Sequence, residues 1–512
     1  MGSIPLLTLW LLLPFAGGAA TLAVSALPNV ARRTALVVAW ATALLGIIVY
    51  VAFPIGASGF HLAEQYPWIP AWGVSYHLGI DGVSLILMLL TVLMTPLSMH
   101  ASKTQITRRG PEFYAYLLLL EGALLGVFAA LDLILFYVFW EVMLIPMALL
   151  IGIWGGDQRI YAAVKFFLFT MVGSLFMLVA IVALAILHGQ ATGHYTTDLP
   201  VLLSWGVPTE VQGWLFAAFF VAFAIKVPVV PFHTWLPDAH VQAPTAGSVM
   251  LAGVLLKMGT YGFVRFLLPL FPAATIEFAP YGMMLGVVGI IYGALLALAQ
   301  DDLKKLIAYS SISHLGFVVL GVFALNHQSV SGATLQMVNH GISTGALFLM
   351  VGMLYERLHT RDLDRMGGLA GVVPVLAFYL LVITLSSIGL PGLNGFVGEF
   401  LILVGTMKTS PVFAVLATSG VVLSAVYMLR MYQRAMQGPI RIDLLRETPE
   451  ILRREGWVLV PLVALMVWIG VYPTPFMNLI EPATDEIVAS IAAVGDETVA
   501  IVAPSLSGGP RP

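Results

Sequence analysis

The sequence predicts an all-α polytopic membrane protein with about fourteen transmembrane helices. Of its 512 residues, 60% are hydrophobic and only 10% are charged, whereas soluble proteins contain about 25% charged residues. Apolar runs of about 20 residues recur along the chain, each long enough to cross the roughly 30 Å hydrocarbon core of a bilayer. The small net charge of -3 is not clustered, so no nucleic-acid surface is indicated. One helical bundle embedded in lipid is therefore expected.

Apolar runs separated by turn residues place the predicted spans along the chain. They lie near 4–26, 34–54, 82–101, 113–131, 132–153, 162–187, 213–236, 245–268, 279–300, 303–324, 332–356, 372–408, 412–435 and 456–475. The first run lacks the basic start of a signal peptide, so we expect it to be retained. Pro228 and Pro231 interrupt the seventh span, and Gly389, Pro391 and Gly392 interrupt the twelfth. Helices 7 and 12 are therefore predicted to be broken.

A weak internal similarity indicates a repeat. GSLFMLV, which begins at Gly173, resembles GALFLMV, which begins at Gly345. This offset relates helices 4–8 to helices 9–13, and the odd number of helices in each copy requires the two copies to be inverted in the membrane. The predicted division is helices 1–3 in 1–112, a first inverted five-helix repeat in 113–268, a second in 279–435, and helix 14 with a periplasmic tail in 456–512.

The loop charges predict the orientation. Basic residues concentrate in alternate loops: Arg32, Arg33, Lys103, Arg108, Arg109, Arg159, Lys304, Lys305, Arg357, Arg361, Arg365, Arg434, Arg441, Arg446, Arg453 and Arg454. The opposite loops hold only Lys408 and Arg511. Because basic loops stay in the cytoplasm, both termini are expected to be periplasmic in a bacterial inner membrane.

Four charged residues lie deep inside predicted spans. They are Glu141 in FYVFWEVMLIP, Lys226 in FAIKVPVVPFH, Lys257 in GVLLKMGTYG and Glu399 in NGFVGEFLIL. A charge at the bilayer centre costs from about 2.5 to well over 10 kcal/mol, so such residues are functional candidates. The alternative is a membrane scaffold with inert ion pairs or snorkelling side chains. Four separate deep charges and two broken helices make that alternative the weaker interpretation.

Lys226 is the most informative of the four. The two prolines that follow it cannot donate to the carbonyls of Ala224 and Val227, and free acceptors at membrane depth imply a hydrated cavity or close protein partners. Burial favours the neutral amine, whereas a carboxylate such as Glu141 favours the ammonium. The pair is therefore predicted to act as a switch that loads and releases one proton.

Histidines supply further relay candidates, because imidazole titrates near neutral pH. His314 and His340 lie in mid-span, in the predicted helices between Lys257 and Glu399. His233 and His240 are predicted to cap helices or to lie at the cytoplasmic mouth. Weaker candidates are Glu121, placed near a periplasmic turn, and Lys165, placed near a cytoplasmic helix start, both as supporting residues, and Asp132 as a structural one.

These motifs resemble the proton-translocating membrane subunits that complex I, the NADH:quinone oxidoreductase, shares with Mrp-type cation/proton antiporters. The resemblance covers residues 131–402 and rests on FYVFWEVMLIPM, KVPVVPFHTWLPDAHVQAPTAGSVMLAGVLLKMGTYG, YSSISHLGF, HGISTGALFL and LPGLNGFVGEF. It implies a channel that uses Glu141, Lys226, Lys257 and Glu399. The L- and N-type subunits carry lysine at the last position, so glutamate there indicates the M type, the counterpart of mitochondrial subunit 4.

The resemblance also implies the surroundings of the chain. It implies that FMN, iron–sulfur clusters and quinone belong to other subunits. A chain without cysteine cannot itself ligate a cubane cluster. L- and N-type subunits are the expected neighbours. The alternatives are a Mrp-type antiporter subunit and the D-type subunit of the photosynthetic NDH complex. Since related subunits use lysine at the twelfth helix, Glu399→Lys is expected to keep part of the function.

Overall fold

The computed structural model describes residues 5–441 and 447–502. Besides short 3-10 turns and two π-helical segments, its elements are α1 Leu6–Ala23, α2 Pro28–Ala52, β1 His61–Ile69, β2 Val74–Ile80, α3 Gly82–Ala101, α4 Gly110–Ala129, α5 Leu133–Val142, α6 Leu144–Trp154, α7 Arg159–Thr192, α8 Leu199–Trp205, α9 Thr209–Lys226, α10 Trp235–Gln242, α11 Thr245–Met250, α12 Leu256–Gly262, α13 Leu268–Leu270, α14 Pro272–Leu298, α15 Leu303–Phe323, α16 His327–Leu358, α17 Pro374–Ile388, α18 Asn394–Thr409, α19 Pro411–Met436, α20 Arg453–Val471 and α21 Thr474–Val502.

The all-α membrane fold predicted from the sequence is confirmed. Within the described residues, 13 helices are long and apolar enough to cross a membrane, counting α5 with α6 and α11 to α13 as one helix each. The remaining predicted span, near 372–408, is divided into α17 and α18. Gly389 and Gly392, with φ of 82° and 92°, turn the chain between the two halves, a conformation that glycine adopts without steric cost.

The seventh predicted span is broken as well. Helix α9 ends at Lys226, and the chain turns through residues 227–234 before α10 begins. One expectation about this break is wrong: the carbonyl of Ala224 is not free, because it accepts a hydrogen bond of 2.8 Å from the N–H of Val229. The chain folds back tightly enough after the first proline to bring a later donor to this carbonyl.

Residues 61–80 form an antiparallel hairpin for which the sequence analysis assigned no structure. Its Glu64 accepts hydrogen bonds from the N–H groups of Leu7, at 2.7 Å, and Thr8, at 3.1 Å. These N–H groups begin α1 and have no partner within that helix. The hairpin therefore caps the N-terminus of α1, the first membrane helix.

The predicted tail is helical as far as it is described, in α21. Helix α21 packs against α16, α3 and α14, and residues beyond 502 lie outside the described part. Its Thr484 and Asp485 contact Ser331 and His327, which lie at the start of α16. The last helix is thereby joined to the start of a membrane span.

A repeated backbone contact supports two copies. Asp132, just before α5, forms an isolated β-bridge with Asp198, and Asp302, just before α15, forms the same bridge with Asp362. Each first aspartate also caps its helix through two backbone N–H groups. The same construction thus occurs twice, separated by 170 positions between the capping aspartates.

The two bridges lie at opposite faces of the bundle. The helix that starts after Asp132 ends before Gly156, whose N–H donates to Gln242 at 2.9 Å. The adjacent carbonyl of Val241 accepts from Arg361 at 2.9 Å, and Arg361 is next to the second bridge. One bridge is therefore at the beginning of the span and the other beside its end, as two inverted copies require.

Helices α14 and α15 pack through small residues, and this contact gives a first prediction. A Cβ on Gly316 would lie 2.6 Å from the backbone nitrogen of Ile290. We expect Gly316→Ala to separate the helices at a cost of about 1 to 3 kcal/mol and to reduce the yield of folded protein. Gly213→Ala is the matched control, because a Cβ at Gly213 meets nothing within 4 Å. Equal thermal stability of the two purified variants would contradict the prediction.

Candidate functional site

Three of the four charged residues predicted to lie deep in the membrane are buried. Lys226 and Lys257 are 0% exposed, and Glu399 is 3% exposed. Glu141 is only partly buried in the isolated chain. A buried charge in a membrane protein requires partners or an exchangeable proton, so the surroundings of each group indicate what it can do.

Lys226 is the last residue of α9, and its amine is surrounded by a thioether and two aromatic rings. Its Nζ lies 3.8 Å from Sδ of Met143 and 5.4 and 5.3 Å from the ring centroids of Trp140 and Phe166. Aromatic faces attract a cation without fixing it as a carboxylate would. The helix C-terminus adds a partial negative charge. The site thus tolerates the ammonium without binding it tightly.

Glu141 lies near Lys226 but is not bonded to it. The two side chains interact electrostatically, yet none of the ion pairs within 4.0 Å among the described residues joins them. Oε1 of Glu141 is buried and has no hydrogen-bond partner among the described residues. The predicted pair is therefore present in an open arrangement.

The helical hydrogen-bonding pattern of the fifth span is interrupted for one residue next to Glu141, and sequence reasoning missed this irregularity. Helix α5 ends at Val142 and α6 begins at Leu144. Pro146 explains the interruption, because it has no N–H to donate to the carbonyl of Val142 and its ring crowds that carbonyl. Met143 itself keeps helical angles, with φ of -69° and ψ of -22°, so α5 and α6 remain one continuous span with Glu141 near its middle.

Lys257 lies between two π-helical segments, Leu251–Leu255 and Phe263–Leu267. Its Nζ donates to the carbonyl of Ala252 and lies 2.7 Å from Nδ1 of His340. Such π segments occur mostly as bulges inside α-helices, frequently at functional sites. The amine and the imidazole share one hydrogen bond, so a proton can move between them.

His314 continues this contact to Glu399. The ring centroids of His340 and His314 are 6.0 Å apart, and Nδ1 of His314 lies 2.7 Å from Oε1 of Glu399. Nε2 of His340 has no partner among the described residues. Four of the predicted residues, Lys257, His340, His314 and Glu399, thus form one chain of titratable groups.

The open pair and this chain lie on adjacent helices. A Cβ on Gly259, two residues after Lys257, would lie 3.0 Å from Cβ of Lys226. The glycine therefore allows α9 and α12 to touch beside the two lysines. The structure brings the six predicted residues into two neighbouring groups rather than one continuous line of hydrogen bonds.

Amide side chains beside Glu399 were missed. Nε2 of Gln336 donates to Oε1 of Glu399 at 2.9 Å, and Asn339 links Gln336 to Asn394 at the start of α18. The signal was available, because Gln336, Asn339, His340 and Ser343 have the spacing of one helix face.

The two histidines of the PFHTWLPDAH segment, His233 and His240, differ from each other. His240 is 0% exposed and stacks on Phe348, with ring centroids 4.5 Å apart. Neither of its ring nitrogens has a partner among the described residues, so the expectation of a mouth or capping residue is wrong for His240. His233 contacts the ring of Tyr292 edge to face and lies in the break after α9.

The weaker candidates have different surroundings. Lys165 forms an ion pair of 2.7 Å with Asp238 of α10. Asp132 caps α5 and accepts from Ser75 and Thr197, which is a structural role. Glu121 lies near the middle of α4 rather than near a turn, and neither carboxyl oxygen has a hydrogen-bond partner among the described residues. Its predicted position was wrong because α4 begins at Gly110 and ends at Ala129.

Inverted copies with broken helices beside two groups of buried titratable residues are typical of ion-translocating membrane proteins of the antiporter-like class. Residues 130–424 match the family described as NADH:quinone oxidoreductase/Mrp antiporter, TM, and residues 33–127 match NADH-ubiquinone oxidoreductase chain 4, amino terminus. NADH-quinone oxidoreductase subunit M of Rhodobacter capsulatus is 45% identical over 95% of this chain and 97% of its own length. The subunit M of Pseudomonas aeruginosa is 48% identical over 86% and 87%. The chain belongs to the NADH-quinone oxidoreductase subunit M family.

Solved structures show the same fold. A chain of respiratory complex I from Thermus thermophilus with bound NADH superposes with a TM-score of 0.86 at 35% identity, covering 95% of this chain and 99% of that chain. A chain of the Mrp complex from a Dietzia species gives 0.83 at 18% identity, over 95% and 99%. At that identity the second likeness shows the fold alone. The family resemblance inferred from the motifs is confirmed.

Proposed function

We propose that this chain translocates protons in the membrane arm of an NADH:quinone oxidoreductase. The observation that carries the proposal is the chain from Lys257 through His340 and His314 to Glu399, with hydrogen bonds of 2.7 Å at each end. Each member exists in two protonation states, and neighbouring groups influence which state is favoured. A proton can therefore pass along the chain in steps.

Glu141 and Lys226 control loading in this proposal. When the carboxylate approaches Lys226, it favours the ammonium, and when it withdraws, burial favours release of the proton. The open arrangement in the structure corresponds to the second situation. The proton released from Lys226 passes to Lys257 on the adjacent helix and leaves from Glu399. Quinone chemistry in another subunit supplies the energy by changing the separation of Glu141 and Lys226.

The proposal includes the partners implied by the family. FMN, iron–sulfur clusters and quinone belong to other subunits, and L- and N-type subunits lie beside this chain in the bilayer. Purification of the tagged chain from native membranes tests this assembly. We expect flavin and iron–sulfur subunits to copurify. A set that contains only small membrane subunits would instead support a Mrp-type antiporter.

The orientation is a further part of the proposal, with both termini periplasmic in a bacterial inner membrane. The absence of native cysteine makes single-cysteine labelling clean. Ala63→Cys in the hairpin should react with an impermeant maleimide added to right-side-out vesicles. Lys103→Cys, after α3, should react only in inside-out vesicles. The reversed pattern would overturn the topology.

A further inference from the structure

We propose that Gln336 makes Glu399 a site for protons and not for sodium ions. This inference rests on the proposed relay and specifies what its last residue binds. Oε1 of Glu399 accepts from Nε2 of Gln336 at 2.9 Å and lies 2.7 Å from Nδ1 of His314. Both neighbours of this oxygen are nitrogen atoms, and the amide presents an N–H group to it.

The orientation of the Gln336 amide is fixed by its neighbours. Nδ2 of Asn339 donates to the backbone carbonyl of Asn394 at 2.8 Å, which identifies it as the nitrogen end of that amide. The same Nδ2 donates to Oε1 of Gln336 at 3.3 Å. Since Oε1 of Gln336 faces this donor, its Nε2 must face Glu399. A backbone carbonyl at the start of α18 thus determines that Glu399 meets a donor.

A sodium ion requires the opposite surroundings. Hard cations are coordinated by oxygen atoms, and sodium carriers supply them from the carbonyls of unwound helices and half-helix ends. Of the backbone carbonyls at and beside the break between α17 and α18, those of Leu385, Ser386 and Leu390 already accept from the N–H groups of Leu390, Gly389 and Leu393 and are not free to coordinate a cation. Within the described residues, no group of three or more His, Asp or Glu side chains converges as a metal site would.

A proton fits the same surroundings. It needs one oxygen and no coordination shell, and the adjacent His314 can deliver it directly. The N–H of Gln336 compensates the carboxylate after the proton has left, as a charge-assisted hydrogen bond does. A cation placed beside Oε1 would instead meet the positive end of the amide dipole.

Gln336→Glu tests this inference in the assembled complex reconstituted in proteoliposomes. The change is nearly isosteric and replaces the N–H donor by a second carboxylate oxygen. Proton pumping is measured at low and high sodium chloride with ionic strength held constant. We expect the unaltered complex to be insensitive to sodium and the variant to lose about tenfold in rate at high sodium, equivalent to about 1.4 kcal/mol. A sodium-insensitive variant, or a sodium-sensitive unaltered complex, would overturn the inference.

Two further variants make the result specific. Gln328→Glu adds the same charge at the start of the same helix without contacting Glu399, and it should stay insensitive to sodium. If Gln336→Glu does not assemble, Gln336→Leu removes the donor without adding an oxygen, and uptake of radioactive sodium by the unaltered complex remains a direct measurement. Glu399→Gln separates the two hypotheses: normal pumping in that variant refutes the relay, whereas lost pumping together with a sodium-insensitive Gln336→Glu refutes only the role of Gln336.

Discussion

Replacing Lys226 by methionine is expected to abolish proton pumping while leaving the complex assembled. Methionine has a similar length and can pack against Met143, Trp140 and Phe166, so the packing around position 226 is preserved. The variant lacks the group that responds to Glu141. We expect the pumping rate to fall by more than about tenfold, a loss above about 1.4 kcal/mol in the barrier, and coupled quinone reduction to fall with it.

Lys305→Met is the matched control, because Lys305 is exposed at the start of α15. It should pump at the unaltered rate. Pumping is measured in membrane vesicles and normalised to the amount of complex resolved on a native gel. Retained pumping in Lys226→Met would refute the switch. Loss of the assembled complex would instead indicate that Lys226 serves as a structural cation.

Replacing Glu399 by lysine is expected to stop pumping as fully as replacing it by glutamine. The related subunit types carry lysine at this position and led us to expect partial function, but the surroundings of Glu399 in the structure favour a complete loss. Oε1 of Glu399 faces the N–H of Gln336 and the ring of His314. The N–H groups of an ammonium at this place would face the N–H group of Gln336, an amide that Asn339 holds in its orientation. We expect a loss above about tenfold for both variants.

A second substitution can distinguish the cause of that loss. Combining Glu399→Lys with Gln336→Glu supplies an acceptor beside the new ammonium, and we expect this pair to recover part of the pumping rate. Pumping is measured as for Lys226. If Glu399→Lys alone pumps better than Glu399→Gln, the surrounding donors do not determine the preferred charge, and the relay needs only an ionisable side chain.

Most residues of the candidate site were proposed from the sequence because charge inside a membrane is costly. Glu141, Lys226, Lys257 and Glu399 are conspicuous in apolar spans, and His314 and His340 lie in the spans between them. Uncharged amides gave a weaker signal, so Gln336 and its partners became apparent only from their contacts with Glu399. The sequence alone does not show which of these side chains contact one another, because that depends on how the helices pack side by side.

The tertiary structure decided how the predicted residues are grouped. It separated Glu141 from Lys226 and joined Lys257 to Glu399 through two histidines. It also placed His240 in the interior, against Phe348. Hydropathy specifies that a helix spans the membrane but not which face it turns to its neighbours, so neither result could be read from the spans.

The sequence by itself determined the membrane fold, the approximate spans and the two broken helices, because hydrocarbon admits few backbone arrangements. It did not determine the hairpin at His61–Ile80, the one-residue irregularity at Met143 or the helix Thr474–Val502. The hairpin depends on contacts with α1 that lie far away in the chain, and the last helix packs against α16 and α3. Such features depend on contacts between residues far apart in the sequence, which the local hydrophobic periodicity does not reveal.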